Sequence, residues 1–338
     1  MATDPRVLKA IISSYMHACI DLGSNSFHLL IGEWQGGAIK IVERLSEKIQ
    51  LGENISETGC ISPEAFERGI ACLHRFAHLM AQYPVQQYWA LGTNTFRVAK
   101  NADSFVARAA EIGIDISVIS GVQEAVLIYA GVITDLPKND IHRLVIDIGG
   151  GSTEIIIGSH HRRLLTDSLS IGSVAWRDCF FSNHRPNFKS LISAMNEGRR
   201  AAVKVFASVA PGVARCGWRQ AHASSGTVKM LSAICEGLGY GKDIVSLQIL
   251  EEMKSLLAET IAEKGELTGL KEARRDLLLP GWCVLSGLME AYNVPIVRFS
   301  ATALREGMLD FMVKNEKTFN VMAQSGLPRV SITTPQVV

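Results

Sequence analysis

A thirteen-residue pattern occurs twice in this chain and narrows what the chain can fold into. Ile20-Asp21-Leu22-Gly23-Ser24-Asn25-Ser26-Phe27-His28-Leu29-Leu30-Ile31-Gly32 aligns without a gap on Ile146-Asp147-Ile148-Gly149-Gly150-Gly151-Ser152-Thr153-Glu154-Ile155-Ile156-Ile157-Gly158. Each copy reads as an apolar strand ending in Asp, a turn of small residues, and a second apolar strand. Around the first copy the spacing predicts strands over Cys19–Leu22, Phe27–Ile31 and Ile39–Leu45. A helix opens at Ser62-Pro63, with Ser as N-cap and Pro in the first turn. Its apolar face is Phe66, Ile70, Leu73, Ala77 and Met80. A strand over Tyr88–Leu91, a helix over Asp103–Ile112, a strand over Ile114–Ile119 and a helix over Gln123–Ile133 complete an order βββαβαβα. The second copy restarts it with strands Leu144–Ile148, Glu154–Ile157 and Arg163–Leu169. Then come a helix Phe188–Ala207, a strand Gln220–Ala223, helices Thr227–Glu236 and Ile244–Ala262, a strand Val294–Phe299 and a helix Leu304–Val313. The expected fold is therefore α/β, two duplicated lobes facing each other across a cleft, with one turn from each lobe pointing into it. The halves meet in the helix Gln123–Ile133 or the polar stretch Thr134–Asp140, and the tail Gly326–Val338 is expected to fray.

Such turns suit phosphate chemistry. Gly and Ser leave backbone N–H groups open to phosphate oxygens. Asp at the strand end adds a carboxylate at the same place, and one carboxylate from each lobe can hold a hydrated Mg²⁺. Metal and amides together neutralise a phosphate chain during phosphoryl transfer. Ser224-Ser225-Gly226 follows a short strand and opens a helix containing Thr227 and Lys229, a place where an anion can bind.

Rival readings fail on particular residues. Gly149-x-Gly151 has Glu154 where a dinucleotide fingerprint needs its third glycine, and a strand rather than a helix follows. Gly241-Lys242 is followed by Asp243, so no P-loop is present. The 34 Lys+Arg balance 33 Asp+Glu, which argues against a broad nucleic-acid-binding face. The seven cysteines are dispersed, with no C-x-x-C pair, and read as reduced thiols of a cytoplasmic protein. The longest uncharged run, Phe76 to Phe96, is broken by Pro84 and by Gln and Asn, so no membrane span is expected.

With the turns in view, the chain resembles the exopolyphosphatase/guanosine pentaphosphate phosphatase family, within the superfamily of actin, sugar kinases and heat-shock chaperone ATPases. Ile20–Phe27, Gly92-Thr93-Asn94-Thr95-Phe96-Arg97, Ser120-Gly121-Val122-Gln123-Glu124-Ala125, Val145–Glu154, Ser224-Ser225-Gly226-Thr227 and Leu304-Arg305-Glu306-Gly307 carry the resemblance, in the family's order and over nearly the whole chain. The resemblance implies two ribonuclease-H-like lobes, residues 1–128 with 306–338 and residues 129–305. It implies Mg²⁺ as cofactor and hydrolysis of a terminal phosphate from polyphosphate or from pppGpp. Glu124 falls on the family's catalytic glutamate and Arg97 on its phosphate-facing arginine. Asp147 and Glu154 match metal-associated carboxylates, with Asp21 as symmetric partner. Ser24, Asn25, Thr93, Asn94, Gly149, Gly150, Gly151, Ser152, Ser225 and Gly226 are the expected phosphate contacts.

The departures bear on substrate. Gln50 stands where the family often has Arg, Ala303 replaces a Gly, and Gln123 replaces an acid beside Glu124. The chain resembles the family's short two-lobe form, without a C-terminal helical extension. The resulting expectation is a cytoplasmic exopolyphosphatase, for which a homodimer is a compatible assembly. A pppGpp 5′-phosphatase and a non-catalytic alarmone or nucleotide sensor are the alternatives.

Overall fold

A computed structural model describes residues 16–35, 38–160, 162–182 and 187–317; the tail Gly326–Val338 lies outside them. The first sheet contains β1 (Met16–Leu22), β2 (Ser26–Gln35), β3 (Ala38–Lys48), β4 (Val85–Gly92) and β5 (Ile116–Val118), in the order β3-β2-β1-β4-β5. The first three strands pair antiparallel, and β4 and β5 continue parallel to β1. The second sheet contains β6 (Arg143–Ile148), β7 (Thr153–Ser159), β8 (Arg162–Leu169), β9 (Gln220–Ser224), β10 (Ile244–Ser246) and β11 (Ile296–Phe299). Its order is β10-β11-β9-β6-β7-β8. Read from β8, it repeats the first sheet strand for strand and adds β10 antiparallel at the far edge. The duplication seen in the sequence is thus a duplication of topology.

Both central strands are buried on both faces, which is why they read as nearly unbroken apolar runs. Ala18, Ile20 and Leu22 of β1 point into an outer core under the helices Pro63–Met80 and Ala102–Glu111. Leu144, Ile146 and Ile148 of β6 do the same under the helices Phe188–Ala207, Ser225–Gly237 and Leu278–Ala291. The intervening residues, Cys19 and Val145, point to a third core between the sheets. Two helices fill that middle layer, Gly121–Thr134 and Leu304–Lys317. The first packs on β7 and β8 and the second on β1, so each lobe sends a helix to meet the other.

The two middle helices pack on each other at a glycine from each. A Cβ on Gly131 would fall 1.8 Å from the Ala303 carbonyl oxygen, and one on Gly307 would fall 1.8 Å from the Leu127 carbonyl oxygen. The obstacle is backbone, which no rotamer change can clear.

Several elements differ from the sequence expectation for identifiable reasons. Ile244–Ala262 is not one helix. Residues Ile244–Ser246 pair with β11, and the Ser246 side chain caps a new helix by accepting from the Ile249 N–H at 3.1 Å. That helix, Leu247–Glu252, is separated by Met253 from the next, Lys254–Ala262. The helix Leu278–Ala291 has no polar face to reveal it: Leu278 through Met289 are all buried, and Pro280 is tolerated in its first turn. Short helices Asn94–Val98 and Ser173–Phe180 add to the elements expected from the sequence. All seven cysteines are free thiols, and among the described residues no helix is long and apolar enough to cross a membrane.

We expect Gly131→Ala and Gly307→Ala each to destabilise the protein, although Ala favours a helix over Gly by about 1 kcal/mol. Overpacking typically costs about 1–3 kcal/mol, and a clash with fixed backbone belongs at the upper end. Urea unfolding checks this; a raised midpoint in either variant contradicts the close crossing.

Candidate active site

The two turns of the repeat close in the same way. The Gly23 N–H donates to the Ser26 carbonyl at 3.2 Å, and the Gly149 N–H donates to the Ser152 carbonyl at 2.9 Å. Asp21 and Asp147 are the penultimate residues of β1 and β6, so both carboxylates emerge at matching strand ends. Across each hairpin, Asp21 pairs with His28 and Asp147 with Glu154. The two lobes thus carry different side chains, a histidine and a glutamate, at one position of the repeat. The turns also meet across the cleft. A Cβ on Gly150 would lie 2.9 Å from Ser24 Cβ, and one on Gly151 would lie 2.1 Å from Asn94 Oδ1. Close approach of the lobes therefore requires these glycines.

Glu124 sits in the first turn of the helix Gly121–Thr134. A capping box starts that helix: the Gln123 N–H donates to Ser120 Oγ at 3.2 Å, and the Ser120 N–H donates to Gln123 Oε1 at 2.8 Å. Gln123, a departure from the family pattern, therefore fixes the helix start that presents Glu124. Arg97 lies in the last turn of the short helix Asn94–Val98 and crosses to Glu124, donating from Nη1 to Oε2 at 2.8 Å. The same Nη1 donates to the Ile119 carbonyl at 3.0 Å, and Nη2 reaches Ser152 Oγ of the other turn at 3.4 Å. Ser168 on β8 donates to Glu154 Oε1 at 2.8 Å, and Ser224 donates to Asp147 Oδ2.

Burial and mutual repulsion govern the charges here. Asp21 is pushed up to about 7, by burial first and by Glu124 and Glu306 against the pull of Arg305. Glu124 also rises to about 7, because burial outweighs the Arg97 ion pair. Burial lifts Asp147 to about 6, against the hydrogen bond from Ser224. Glu154, only 1% exposed, is raised by burial and by the charges of Glu124 and Asp147. Its Oε2 is buried without a hydrogen-bond partner. Four acids so placed share one ion-paired arginine and need further positive charge.

That donor set fits a hard divalent cation such as Mg²⁺, which prefers carboxylate oxygens. Among the described residues, no three His, Cys, Asp or Glu side chains converge closely enough to enclose an ion by themselves. Mg²⁺ usually takes only one or two carboxylates and completes its shell with water and phosphate oxygens.

A cavity of about 540 Å³ lies between the lobes. Asp21, Ser24, Asn25, Thr93, Asn94, Glu124, Asp147, Gly149, Gly150, Gly151, Ser152, Ser225 and Gly226 line it. Arg97 and Glu154 do not; they stand behind the wall, holding Glu124 and facing Asp147. Sequence reasoning missed the positive lining, namely Arg44, Lys271, Arg274 and Arg305, and the His28 ring beside them. Arg305 lay inside a matched motif without a role. The others are far apart in sequence and carry no spacing signal.

Comparison with known proteins gives a concordant result. The sequence profile of the Ppx/GppA phosphatase family matches residues 30–316. A Haemophilus influenzae protein named "Putative exopolyphosphatase" is 33% identical over 315 residues, covering 91% of this chain and 94% of that protein. An Aliivibrio fischeri protein named guanosine-5′-triphosphate,3′-diphosphate pyrophosphatase is 33% identical over 310 residues, 90% of this chain; the match spans 61% of that longer protein. The crystal structure of an exopolyphosphatase from Cytophaga hutchinsonii superposes with a TM-score of 0.78 at 25% identity, covering 89% of this chain and 98% of that one.

The raised acids have a consequence for stability. Their folded-state values lie above the unfolded ones, so the folded chain takes up protons first as pH falls, and stability rises. The gain begins near pH 8, above the raised values, and continues toward the unfolded carboxyl values of about 4, being steepest and unopposed down to about pH 6.5. Below about pH 6.5 the buried His28 and His222, held down near 3 and 4, oppose part of that gain. We expect Asp21→Asn to raise the melting temperature at pH 8 by several degrees and to flatten the slope between pH 8 and 6.5. A lowered melting temperature at pH 8 would show that the Asp21 charge is compensated within the protein.

Proposed function

As this chain belongs to the Ppx/GppA phosphatase family, we propose that it is an exopolyphosphatase, removing the terminal phosphate of inorganic polyphosphate with Mg²⁺ as cofactor. The observation that carries this reading is Glu124, held at 2.8 Å by Arg97 on the wall of a cavity faced by one matched turn from each lobe. The near-complete overlap with the Haemophilus influenzae relative favours polyphosphate over pppGpp.

Each residue has a task in that reaction. Glu124 accepts a proton from water as its oxygen bonds to the terminal phosphorus; the bridging P–O bond breaks, and orthophosphate leaves a chain one unit shorter. Burial sets Glu124 near 7, where it is basic enough to take that proton at neutral pH. Arg97 orients the carboxylate and links it to Ser152 across the cleft. The open amides of the two turns and the Ser24, Asn25, Thr93, Asn94, Ser225 and Gly226 groups hold phosphate oxygens. Asp21 and Asp147 would hold Mg²⁺, directly or through water, with the Glu154 carboxylate adding negative charge from behind Asp147, and bound Mg²⁺ would offset phosphate charge as a Lewis acid. The two-lobe cleft is expected to close on its substrate.

Glu124→Gln keeps the shape of the side chain and removes its basicity. We expect about a 10²–10⁴-fold loss of turnover, as for loss of a general base, with substrate binding retained. Unchanged turnover rejects the assignment.

Phosphate release from long polyphosphate, tripolyphosphate, pppGpp and ATP should be fastest with long polyphosphate, should stop in excess chelator and should return on adding Mg²⁺. Faster release from pppGpp would make the guanosine pentaphosphatase reading the better one. Tight binding with no release from any substrate would make the chain a nucleotide sensor.

A further inference from the structure

The lobes meet at a second junction besides the crossing of the middle helices. In the first lobe, residues 49–54 follow β3 and lie against the turn that contains Ser24 and Asn25. The Ile49 and Gln50 N–H groups both donate to the Asn25 carbonyl at 2.9 Å, and the Gly52 N–H donates to the Ser24 carbonyl at 2.8 Å. In the second lobe, the helix Ser173–Phe180 backs the other turn in the same way. The Ser173 N–H donates to the Gly149 carbonyl at 3.0 Å, and the Val174 N–H donates to the Gly150 carbonyl at 2.8 Å. In a trans peptide the carbonyl and the N–H that follows it point in opposite directions. Holding these carbonyls from behind therefore turns the N–H groups of Asn25, Ser26, Gly150 and Gly151 the other way, on residues that line the cavity.

The two backing segments are themselves joined. Arg177, in the last turn of its helix, reaches Glu53 of the first lobe at 3.4 Å, its neighbour Asp178 at 2.7 Å and Asp276 at 2.9 Å. Asp178 also accepts from the Asn54 N–H of the first lobe at 2.9 Å. Asp276, on the 3₁₀ turn Glu272–Leu277, pairs with Lys48 at 3.2 Å. The side chains of Arg177 and Asp178 are only 11% and 9% exposed, so salt and water screen this group less than an ordinary surface ion pair. Gln50 and Asn54 hold positive φ, 56° and 55°, a conformation uncommon outside glycine that the surroundings must maintain. Each makes its contact through its own N–H, Gln50 to the turn of its lobe and Asn54 to the opposite lobe. Without the Arg177 charge, Glu53, Asp178 and Asp276 would face one another with Lys48 as the remaining cation of the group.

We propose that Arg177 and Asp178, gripping Glu53 and the Asn54 N–H of the opposite lobe, form a clasp that sets the two turns of the repeat against each other. Neither Arg177 nor Asp178 lines the cavity. Arg177 is a positioning residue, acting through the segments that aim the turn amides. Its part in phosphate release rests on the phosphatase reading, whereas the clasp between the lobes does not. When the clasp breaks, each turn keeps the hydrogen bonds made within its own lobe. What is lost is the fixed placement of one turn relative to the other, and with it their joint hold on a single phosphoryl group in the transition state.

Amide hydrogen exchange followed by mass spectrometry on the intact chain tests the clasp, because its effect must cross from one lobe to the other. Arg177→Gln alters the second lobe, and exchange should quicken several-fold at residues 49–52 of the first. Glu53→Gln alters an exposed side chain of the first lobe and should quicken exchange at residues 173–175 of the second; it keeps the test alive should Arg177→Gln unfold. Arg177→Lys, which keeps the charge, should recover part of the protection. In phosphate release from polyphosphate with Mg²⁺, Arg177→Gln should lower kcat about tenfold with KM changed less, and Arg177→Lys should restore part of the rate. Three results overturn the clasp: exchange unchanged across the cleft in every folded variant, exchange quickened over the whole chain alike, or wild-type kcat despite quickened exchange in both lobes. Exchange that follows the expected pattern in a protein that hydrolyses neither polyphosphate nor pppGpp leaves the clasp standing and removes the phosphatase reading.

Discussion

Four carboxylates buried around one cleft are the constraint on which the rest of this structure turns. Asp21, Glu124, Asp147 and Glu154 cannot all be charged at neutral pH without compensation, and among the described residues only Arg97 makes an ion pair with one of them. The surrounding architecture keeps them together in spite of this. Ser168 and Ser224 each donate to one acid, and the capping box at Ser120 points the first turn of a helix at the group. A cluster that repels itself in isolation would be relieved by positive charge entering from outside, the role proposed above for Mg²⁺.

The fold supplies the positions. Strand order is repeated in the two sheets, so the equivalent strands β1 and β6 end in equivalent turns, and the middle pair of helices sets the distance between them. Because Gly131 and Gly307 bring those helices to backbone contact, the lobes approach until Gly150 and Gly151 touch Ser24 and Asn94. Ion pairs close the same boundary elsewhere: Arg177 in the second lobe meets Glu53 of the first, and Lys48 of the first meets Asp276 of the second. The 3₁₀ turn that bears Asp276 also bears Arg274.

Much of this was legible in the residues, and the rest was hidden for physical reasons. The repeat Ile20–Gly32 against Ile146–Gly158 exposed the duplication because strand and turn chemistry are local. Ser62-Pro63 marked a helix start for the same reason, and the side chain of Ser62 does accept from Ala65. The helix Leu278–Ala291 escaped because it is apolar on every side, so its period vanished. Ile244–Ala262 misled because a three-residue edge strand is specified by its partner β11, not by its own pattern. Within the site, residues in the two turns were readable, while Arg274, Lys271, Arg44 and His28 converge only through tertiary structure. Arg97 and Glu154 were found in the sequence, yet their place behind the cavity wall depends on rotamers that no spacing encodes.

The central claim is that water held by Glu124 attacks the terminal phosphorus directly. Hydrolysis of long polyphosphate in ¹⁸O-enriched water, followed by mass analysis of both products from a single turnover, tests it most directly. Label confined to the released orthophosphate, one atom per molecule, is the result this account predicts. Label at the new end of the shortened chain, or orthophosphate released without it, contradicts direct attack and with it the assignment of the proton acceptor.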